Sequence, residues 1–524
     1  MRLDSLRNRF LSYVTDYEKD TIFSPVVPEI ALSAQNSVRP QKDADPLKYN
    51  KMIFGQFIEH FHTQIYGGIY DPDSRFADED GFRTDVIEAV RQIGTPIVRW
   101  PGGCFVSSYH WLDGVGQERQ PSYDKAWQVE DPNTFGTDEF VKWCRKIEAE
   151  PFICTNAGTG TEEEMSDWVE YCNLTVGKWG RMRMENGYSE PHDVKCWSIG
   201  NENWGGHEVG AKSAEAWGAL VREAAKMMRT VTHDAKLFAA ATTDKGWTLP
   251  LLKTAGEHLD YVSIHQYWDV LQHKNNPSPY IKCMLFTEGP DRSIRQTMKI
   301  LEKAGYGDGK IKIAFDEWNL RSWHHPNFGN FRAKIDVEGR KNNDIASTYT
   351  MADAIFSACF LNSCLRHADV VDIACFSPIV NTRGPLYVHK DGIVKRTTYH
   401  VFDMYVNSLE DYVYPVKVKA EKLKYDGDST PVVDCVLTTD ESRTKFTYAA
   451  VNKSPDKSVY LDLGFKALGL DEPQKVKALV LCGSSPDDYN DVGAENRVVP
   501  VEMELNVMDG KVNLPPHSLS ILFL

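Results

Sequence analysis

Short apolar runs alternate with amphipathic stretches along the chain from about residue 52 onward. The runs have the length and composition of strands buried on both faces, and the stretches between them have the apolar spacing of helices. Eight runs of this kind follow one another, at residues 52–59, 96–103, 151–158, 194–202, 235–243, 259–267, 311–319 and 370–378. Strands that alternate with helices predict a parallel sheet. Eight of them predict a closed (β/α)8 TIM barrel of the α/β class rather than an open sheet, since no GxGxxG motif follows the first run.

A different pattern begins after residue 410. Short β-branched and aromatic runs are separated there by Asp, Ser, Gly and Pro turns, which is typical of antiparallel sheets. We therefore expect a barrel domain at 52–410 and a jelly-roll-like β-sandwich at 411–524. Residues 26–51 show little helical periodicity and could supply a strand to either domain. The segment 1–51 as a whole is expected to pack on the sandwich or to add a strand to it.

Composition excludes several classes of partner. The net charge of −15 argues against a nucleic-acid backbone or an anionic membrane as partner. Every apolar run is far shorter than the ~18–20 residues of a membrane span, and the N-terminus shows no apolar signal segment. The 11 cysteines are odd in number and scattered, with no CxxC pair. These features predict a reduced cytoplasmic protein without structural disulfides or a zinc module.

Acidic residues at the ends of the predicted strands are the main candidates for chemistry. Active groups of this barrel lie at the C-terminal ends of its strands, and Glu59, Glu202 and Glu317 end three of the eight runs. A carboxylate buried there among aromatic residues is costly unless it is paired or used. Two carboxylates across one cleft are the arrangement of glycoside hydrolysis, and Glu202 and Glu317 form the strongest pair. Asn201 is placed to bind a sugar hydroxyl, and His265 and Tyr267 to orient the nucleophile.

Several blocks around these residues resemble glycoside hydrolase family 51, the α-L-arabinofuranosidases. They are FGQFIEHFHTQIYGGIYDPDS, DGFRTDVIEAVRQIGTPIVRWPGGCFVSSYHWLDGVG, WSIGNENWG, VSIHQY and FDEWN. The resemblance extends with gaps from about Met52 to Asn381 and includes a C-terminal sandwich. It implies a retaining exo-enzyme that releases terminal α-L-arabinofuranosyl residues from oligosaccharides or polysaccharides. It also implies a homo-oligomer, often a hexamer, and no cofactor or metal.

Roles for individual residues follow from the same resemblance. Glu202 matches the acid/base at the end of strand 4, and Glu317 the nucleophile at strand 7. Residues expected to bind the sugar are Glu59, Cys104, Trp127, Asn201, His265, Tyr267 and Trp318. Cys104 stands where other members carry Asn.

One position departs from the family pattern. A family Gln that contacts the sugar after strand 8 is replaced by Pro378 in ACFSPIVNTRGP. Proline carries no side-chain amide, so the contact is absent or comes from another group, with Asn381 and Arg383 as candidates. We expect this side of the pocket to be more open and the sugar preference to be affected.

Parts of the same pattern fit other functions. The serious alternatives use the same carboxylates: a β-xylosidase, an endo-β-glucanase or a galactofuranosidase. His60 and His62 form an HxH motif like that of metal-dependent amidohydrolase barrels, but the later strands lack the further ligands of that class. A barrel that only binds glycans would be expected to lose one glutamate, and both are present.

Overall fold

A closed barrel of eight parallel strands forms the centre of the protein. The computed structural model describes residues 36–41, 44–271, 274–325 and 334–524. Barrel strands 1 to 8 are, in order, Gly55–Phe57, Ile97–Trp100, Glu150–Thr155, Cys196–Ile199, Lys236–Ala241, Tyr261–Asp269, Lys312–Arg321 and Val371–Phe376. Strand 8 pairs with strand 1 through Cys375 and Gly55, which closes the barrel. Each predicted apolar run overlaps one of these strands, so the prediction of the barrel is confirmed.

Helices cover the outside of the barrel. The longer ones are Thr84–Gln92, Thr137–Lys146, Glu162–Asn173, Gly177–Glu185, Ala214–Val231, Lys245–Ala255, Tyr280–Phe286, Gly289–Ala304, Met351–Arg366 and Thr397–Ser408. Short helical turns occur at Lys51–Phe54, Cys104–Ser108, Trp111–Gly114, Gly256–His258, Glu338–Asp344, Ala346–Thr348 and Phe465–Leu468. The helix Ala214–Val231 begins where the Ser213 hydroxyl accepts the Ala216 N–H, and it buries one apolar face against the barrel.

A second, antiparallel sheet domain packs against one side of the barrel. Within the described residues, its strands are Ser37–Pro40, Leu47–Lys48, Tyr412–Tyr414, Val416–Lys419, Val433–Thr439, Phe446–Asn452, Val459–Asp462, Lys475–Cys482, Val501–Met508, Lys511–Leu514 and Ser518–Phe523. The segment ahead of the barrel contributes to it, since Val38 pairs with Val418 and Leu47 with Val413. Residues 1–35 lie outside the described part of the chain.

The helix Met351–Arg366 joins the two domains. It contacts barrel strand 7 on one side and Val433–Thr439 and Ser518–Phe523 of the sheet domain on the other. All its residues from Met351 to Leu365 are buried, and its buried polar residues have partners, Asp353 with Arg321 and Asn362 with Asp434. Three two-stranded hairpins complete the fold, Ser122–Asp124 with Val129–Asp131, Leu386–His389 with Gly392–Lys395, and Lys422–Tyr425 with Asp428–Pro431.

No helix in the described ranges combines the length and the apolar character that crossing a membrane requires.

Candidate active site

Glu202 and Glu317 meet at one mouth of the barrel. Glu202 follows the end of barrel strand 4 by three residues, and Glu317 lies in barrel strand 7, where His265 of strand 6 pairs with it in register. One carboxylate oxygen of each glutamate and a ring nitrogen of His265 lie within 4.8 Å of one another. Glu202 has a φ of 41°, in the left-handed region, a conformation that costs about 1–3 kcal/mol in a non-glycine residue and is concentrated at functional sites.

The carboxylate of Glu317 is held by two donors from other strands. Tyr267 donates its hydroxyl to Oε1 at 2.5 Å, and Arg99 of barrel strand 2 donates Nη1–H to Oε2 at 3.0 Å. Arg99 is fully buried, and it also binds Asn201 Oδ1 at 2.8 Å and lies 3.2 Å from Asp316. These contacts fix the orientation of Glu317 and compensate its charge inside the barrel.

Glu202 lies between two histidines. Its Oε1 is 3.1 Å from His265 Nδ1, and its Oε2 is 2.9 Å from His207 Nε2. Burial opposes ionisation, but the hydrogen bonds from His207 and His265 hold the pKa of Glu202 below its usual range. Burial likewise opposes a charged His265, yet the carboxylates of Glu317, Asp316 and Glu202 raise its pKa to about 10. In the ligand-free site the proton of this pair therefore resides on His265.

Glu59 is a third carboxyl group, buried beside Glu317. Its Oε1 accepts the Phe105 N–H at 3.0 Å and the indole N–H of Trp127 at 2.9 Å. Burial and the nearby Glu317 charge raise its pKa well above the ordinary value, which favours the protonated carboxyl. A protonated Glu59 can donate as well as accept a hydrogen bond.

The twin glycines leave the space that these carboxyl groups occupy. A Cβ at Gly102 would come within 2.2 Å of Glu59 Cγ, and Gly102 has a φ of 125°, which side chains rarely adopt. A Cβ at Gly103 would lie 3.4 Å from Glu317 Oε2 and from both carboxyl oxygens of Glu59. Gly103 therefore keeps the gap between the two acids free of side-chain atoms.

An aromatic wall lies next to Glu59. Trp127 is presented by the hairpin of Ser122–Asp124 and Val129–Asp131, where the Asp124 carboxylate accepts its backbone N–H. Its ring stacks on that of Trp323, with centroids 5.6 Å apart, and meets Phe61 edge-on at 4.7 Å. Stacked aromatic faces of this kind suit the apolar face of a sugar ring.

Arg383 completes the wall beside Pro378. Its guanidinium lies 4.7 Å from the Tyr267 ring centroid and 4.4 Å from that of Trp323, and its Nε donates to the Ser377 carbonyl. Nη1 and Nη2 are buried and have no hydrogen-bond partner in the described structure. Burial lowers the pKa of Arg383 to about 10, so it still carries its charge at neutral pH.

Asn381, the other candidate to replace the family amide, is committed elsewhere. Its Nδ2 donates to the Thr63 carbonyl at 2.6 Å, and its Oδ1 accepts the Val388 N–H at 2.7 Å. Both ends of its amide therefore hold the loop together. Only Arg383 of the two has donors left for a ligand.

The remaining predicted site residues divide into two groups. Asn201 is buried at the mouth and binds Arg99, and Cys104 is half-buried beside Glu208. Trp318, expected to contact the sugar, faces away from the cleft. It is fully buried with its ring stacked on Phe360 at 3.5 Å. Strand 7 is irregular here, since its register with strand 8 shifts between Phe315 and Trp318, so Asp316 and Glu317 both reach Arg99 inside the barrel while Trp318 packs on the outer side. This prediction is therefore wrong for Trp318.

The two histidines of the HxH motif have separate structural partners. His60 Nδ1 lies 2.8 Å from Asp131, and its Nε2 accepts the indole N–H of Trp100. His62 Nε2 lies 2.8 Å from Asp344.

Sequence reasoning missed four polar residues of the site: Arg99, His207, Glu208 and Asp316. Arg99 could have been predicted as a site residue, because a charged residue inside an otherwise apolar buried run requires a carboxylate partner. Asp316 carried the same signal in the run 311–319. His207 and Glu208 lie in a glycine-containing loop, where no periodicity indicates which way a side chain points.

Comparison with known proteins agrees with this geometry. The family models described as "Alpha-L-arabinofuranosidase 1 domain" and "Alpha-L-arabinofuranosidase C-terminal domain" match residues 89–283 and 316–518. The chain is 32% identical over 482 residues to the intracellular exo-α-(1→5)-L-arabinofuranosidase 1 of Bacillus subtilis (strain 168), covering 90% of this chain and 91% of that one.

Solved structures show the same similarity. The α-L-arabinofuranosidase from Thermotoga maritima, solved as an arabinose complex, superposes with a TM-score of 0.82 at 29% identity, covering 93% of this chain and 99% of that one. A family 51 α-L-arabinofuranosidase from Bifidobacterium longum superposes with a TM-score of 0.83 at 28% identity and the same coverage.

Proposed function

The chain belongs to the α-L-arabinofuranosidases of glycoside hydrolase family 51, and on this premise we propose that it is a retaining exo-α-L-arabinofuranosidase. It would release terminal α-L-arabinofuranosyl residues from arabinose-containing oligosaccharides and polysaccharides. The observation that carries the mechanism is the approach of carboxylate oxygens of Glu202 and Glu317 to within 4.8 Å at one barrel mouth. Retaining glycosidases need their carboxyl groups about 5–5.5 Å apart, whereas inverting ones need roughly 6.5–9.5 Å to admit a water.

Glu317 is proposed as the nucleophile. Its carboxylate attacks the anomeric carbon of the arabinofuranosyl group, and the bond to the leaving oxygen breaks, which gives a glycosyl-enzyme ester. Arg99 and Tyr267 orient the carboxylate before attack. When a water molecule later attacks the anomeric carbon, the ester bond breaks and Glu317 returns as a carboxylate.

Glu202 is proposed as the acid/base. It must be protonated when the leaving oxygen departs, but in the ligand-free site the proton is on His265. The separation of 3.1 Å between His265 Nδ1 and Glu202 Oε1 allows that proton to pass to Glu202 in one step. Once Glu202 has protonated the leaving group, its carboxylate takes a proton from the water that hydrolyses the glycosyl-enzyme.

The glycone pocket is proposed to consist of Glu59, Asn201, Trp127 and Arg383. Glu59 and Asn201 would bind hydroxyl groups of the furanose, and Trp127 would form the wall beneath its apolar face. The two unpartnered nitrogens of Arg383 would replace the amide that Pro378 cannot supply. Buried donors without a partner are costly. A sugar hydroxyl that accepts hydrogen bonds from them therefore strengthens binding, and a sugar that lacks this hydroxyl is discriminated against.

Three further expectations, two from the sequence pattern and one from family membership, remain proposals. They are domain boundaries near residues 51 and 410, a location inside the cell, and assembly into a hexamer. Relatives named intracellular support the location. Light scattering coupled to gel filtration measures the assembly, and a mass other than six chains would refute the hexamer.

Proton NMR of the first turnovers tests the function. The rates of hydrolysis are first compared for the 4-nitrophenyl α-L-arabinofuranoside, β-xyloside, β-cellobioside and β-galactofuranoside, and we expect the arabinofuranoside to be hydrolysed fastest. The sugar should appear first as the α-anomer and only then equilibrate. Initial release of the β-anomer would exclude double displacement, and faster turnover of another glycoside would reassign the substrate.

A further inference from the structure

A cluster of one thiol, one imidazole and one carboxylate lies beside Glu202 at the mouth of the barrel. It consists of Cys104, His207 and Glu208, which we call the thiol–imidazole–carboxylate cluster. One ligand-type atom from each residue lies within 4.8 Å of the other two. Cys104 begins a short helical turn after barrel strand 2, whereas His207 and Glu208 come from the loop after strand 4. The fold therefore brings the three together across the barrel mouth.

The carboxylate of Glu208 is incompletely bound. Its side chain is fully buried, and its Oε1 accepts from the Ser107 hydroxyl at 2.5 Å. The Cys104 thiol also hydrogen-bonds to this carboxyl group, although Oε2 meets no donor of regular geometry among the described residues and lies 3.9 Å from His207 Nε2. A buried carboxylate oxygen without a regular donor is costly, and this one points to where the Cys104 and His207 donor atoms converge.

The donor set is that of a thiophilic divalent cation. Thiolate sulfur, imidazole nitrogen and carboxylate oxygen are the protein ligands of zinc, which takes four ligands in a tetrahedron. Zinc bonds of about 2.0–2.3 Å place ligand atoms about 3.3–3.8 Å apart. Side-chain rotations of about an ångström would bring the cluster from its present spacing to that one, with a fourth position left for water or for Glu202.

We propose that Cys104, His207 and Glu208 form a binding site for Zn²⁺ or a cation of similar chemistry, and that its occupancy inhibits the enzyme. Binding releases the thiol proton of Cys104 and the Nε2 proton of His207 to solvent and forms the metal–sulfur and metal–nitrogen bonds. The same His207 nitrogen that would bind the metal now binds Glu202 Oε2 at 2.9 Å. A bound cation therefore takes that contact away, and Glu202 loses the hydrogen bond that orients its Oε2. This second part rests on the proposed role of Glu202 as the acid/base.

Cobalt binding tests the site without reference to activity. The EDTA-treated, dialysed full-length protein is titrated with Co²⁺, and near-ultraviolet absorption of the thiolate-to-cobalt bond is measured. We expect saturation at one Co²⁺ per chain. Because even the loss of a supporting residue weakens metal binding by about 10–100-fold, Cys104→Ser should abolish the band, and Glu208→Gln should weaken binding at least about tenfold. Cys482→Ser is the matched control, since Cys482 is the other half-buried cysteine and lies in the sheet domain; it should retain the band.

Inhibition by Zn²⁺ tests the consequence. Each variant is compared with its own metal-free rate, and we expect reversible inhibition of the wild type, restored by EDTA, with the inhibition constant raised at least about tenfold in Cys104→Ser. A cobalt band that survives in Cys104→Ser, or is lost in Cys482→Ser, would overturn the site. Binding without inhibition would leave the site intact and refute its effect on Glu202. A protein inactive on every glycoside of the panel, yet with the Cys104-dependent band, would refute only the proposed function.

Discussion

The phenolic oxygen of Tyr267 lies 2.5 Å from Oε1 of Glu317, and Ser377 Oγ lies 3.0 Å from the same phenolic oxygen. This short chain links barrel strands 6 and 7 to the residue that follows strand 8. Burial and the Glu317 charge raise the pKa of Tyr267 well above its ordinary value, so the hydroxyl keeps its proton and remains a donor. The orientation of the proposed nucleophile is thus set by a neighbouring strand as well as by its own.

Replacement of Tyr267 with Phe should lower kcat/KM by about 10–100-fold, since a hydrogen bond to a charged group contributes about 1.5–3 kcal/mol. Tyr261→Phe is a matched control, because Tyr261 lies at the other end of the same strand and bonds Asp372. Steady-state kinetics on 4-nitrophenyl arabinofuranoside with both variants is the measurement. Equal losses in the two would assign the effect to the barrel rather than to Glu317.

The two glutamates should respond differently to removal. Glu317→Ala should abolish turnover, because no glycosyl-enzyme can form, whereas Glu202→Ala should retain activity on a nitrophenyl glycoside, whose leaving group needs little protonation. Azide should restore Glu202→Ala and yield the α-glycosyl azide, identified by NMR. If both variants were inactive and neither responded to azide, the roles would be misassigned.

Glu59 should tolerate an amide better than truncation. Since its raised pKa favours the neutral acid, Glu59→Gln preserves the shape and the acceptor that Phe105 and Trp127 use, whereas Glu59→Ala leaves both donors unpaired. We expect Glu59→Ala to reduce kcat/KM by about 10–100-fold and Glu59→Gln to reduce it less. The measurement is the kinetics of the two variants across about pH 5–8, the range in which folded proteins are generally most stable. A loss as large for Gln as for Ala would indicate that Glu59 acts as a carboxylate.

The pair of Glu202 and His265 predicts a pH dependence of stability. The pKa of Glu202 is lowered from 4.5, so its contribution to folding stability is present above pH 4.5 and is lost as the pH falls below that value. The pKa of His265 is raised from 6.5 to about 10, so its contribution is complete below pH 6.5 and is lost as the pH rises toward 10. The melting temperature of the wild type should therefore fall from pH 6.5 to pH 10 more steeply than that of His265→Gln. Parallel curves in scanning fluorimetry would contradict this assignment.

Arg383 should read one hydroxyl of the sugar. Arg383→Met removes the two free donors and keeps much of the stacking on Tyr267 and Trp323, and it should cost about 10–100-fold in kcat/KM. The loss should disappear on whichever 2-, 3- or 5-deoxy arabinofuranoside lacks the hydroxyl that Arg383 binds. An equal loss on all three deoxy substrates would show that Arg383 only supports the wall.

The Pro378 position gives a separate test of the same side of the pocket. Pro378→Gln should restore part of the activity of Arg383→Met if the two groups serve the same hydroxyl. It should also change the ratio of arabinofuranoside to galactofuranoside hydrolysis. Additive effects of the two substitutions and an unchanged ratio would show that position 378 does not face the sugar.

The order of strands and helices and the two glutamates could be read from the sequence alone. Parallel strands that are buried on both faces require continuous apolar runs, and such runs are visible in a single sequence. In a barrel, the C-terminal end of each run must reach the same mouth. The positions of Glu202 and Glu317 within the chain therefore determined that they would meet.

Only the tertiary structure decided the partners of those glutamates. Arg99 and Glu317 are 218 positions apart in the chain, and no local pattern specifies which of several buried charges will pair. The direction of Trp318 depended on an irregularity in strand 7 that places Asp316 and Glu317 on the same side, and the loop residues His207 and Glu208 follow no periodicity at all. Periodic burial is a local property and survives in the sequence, whereas hydrogen bonds between side chains of different strands depend on how the closed barrel sets them side by side.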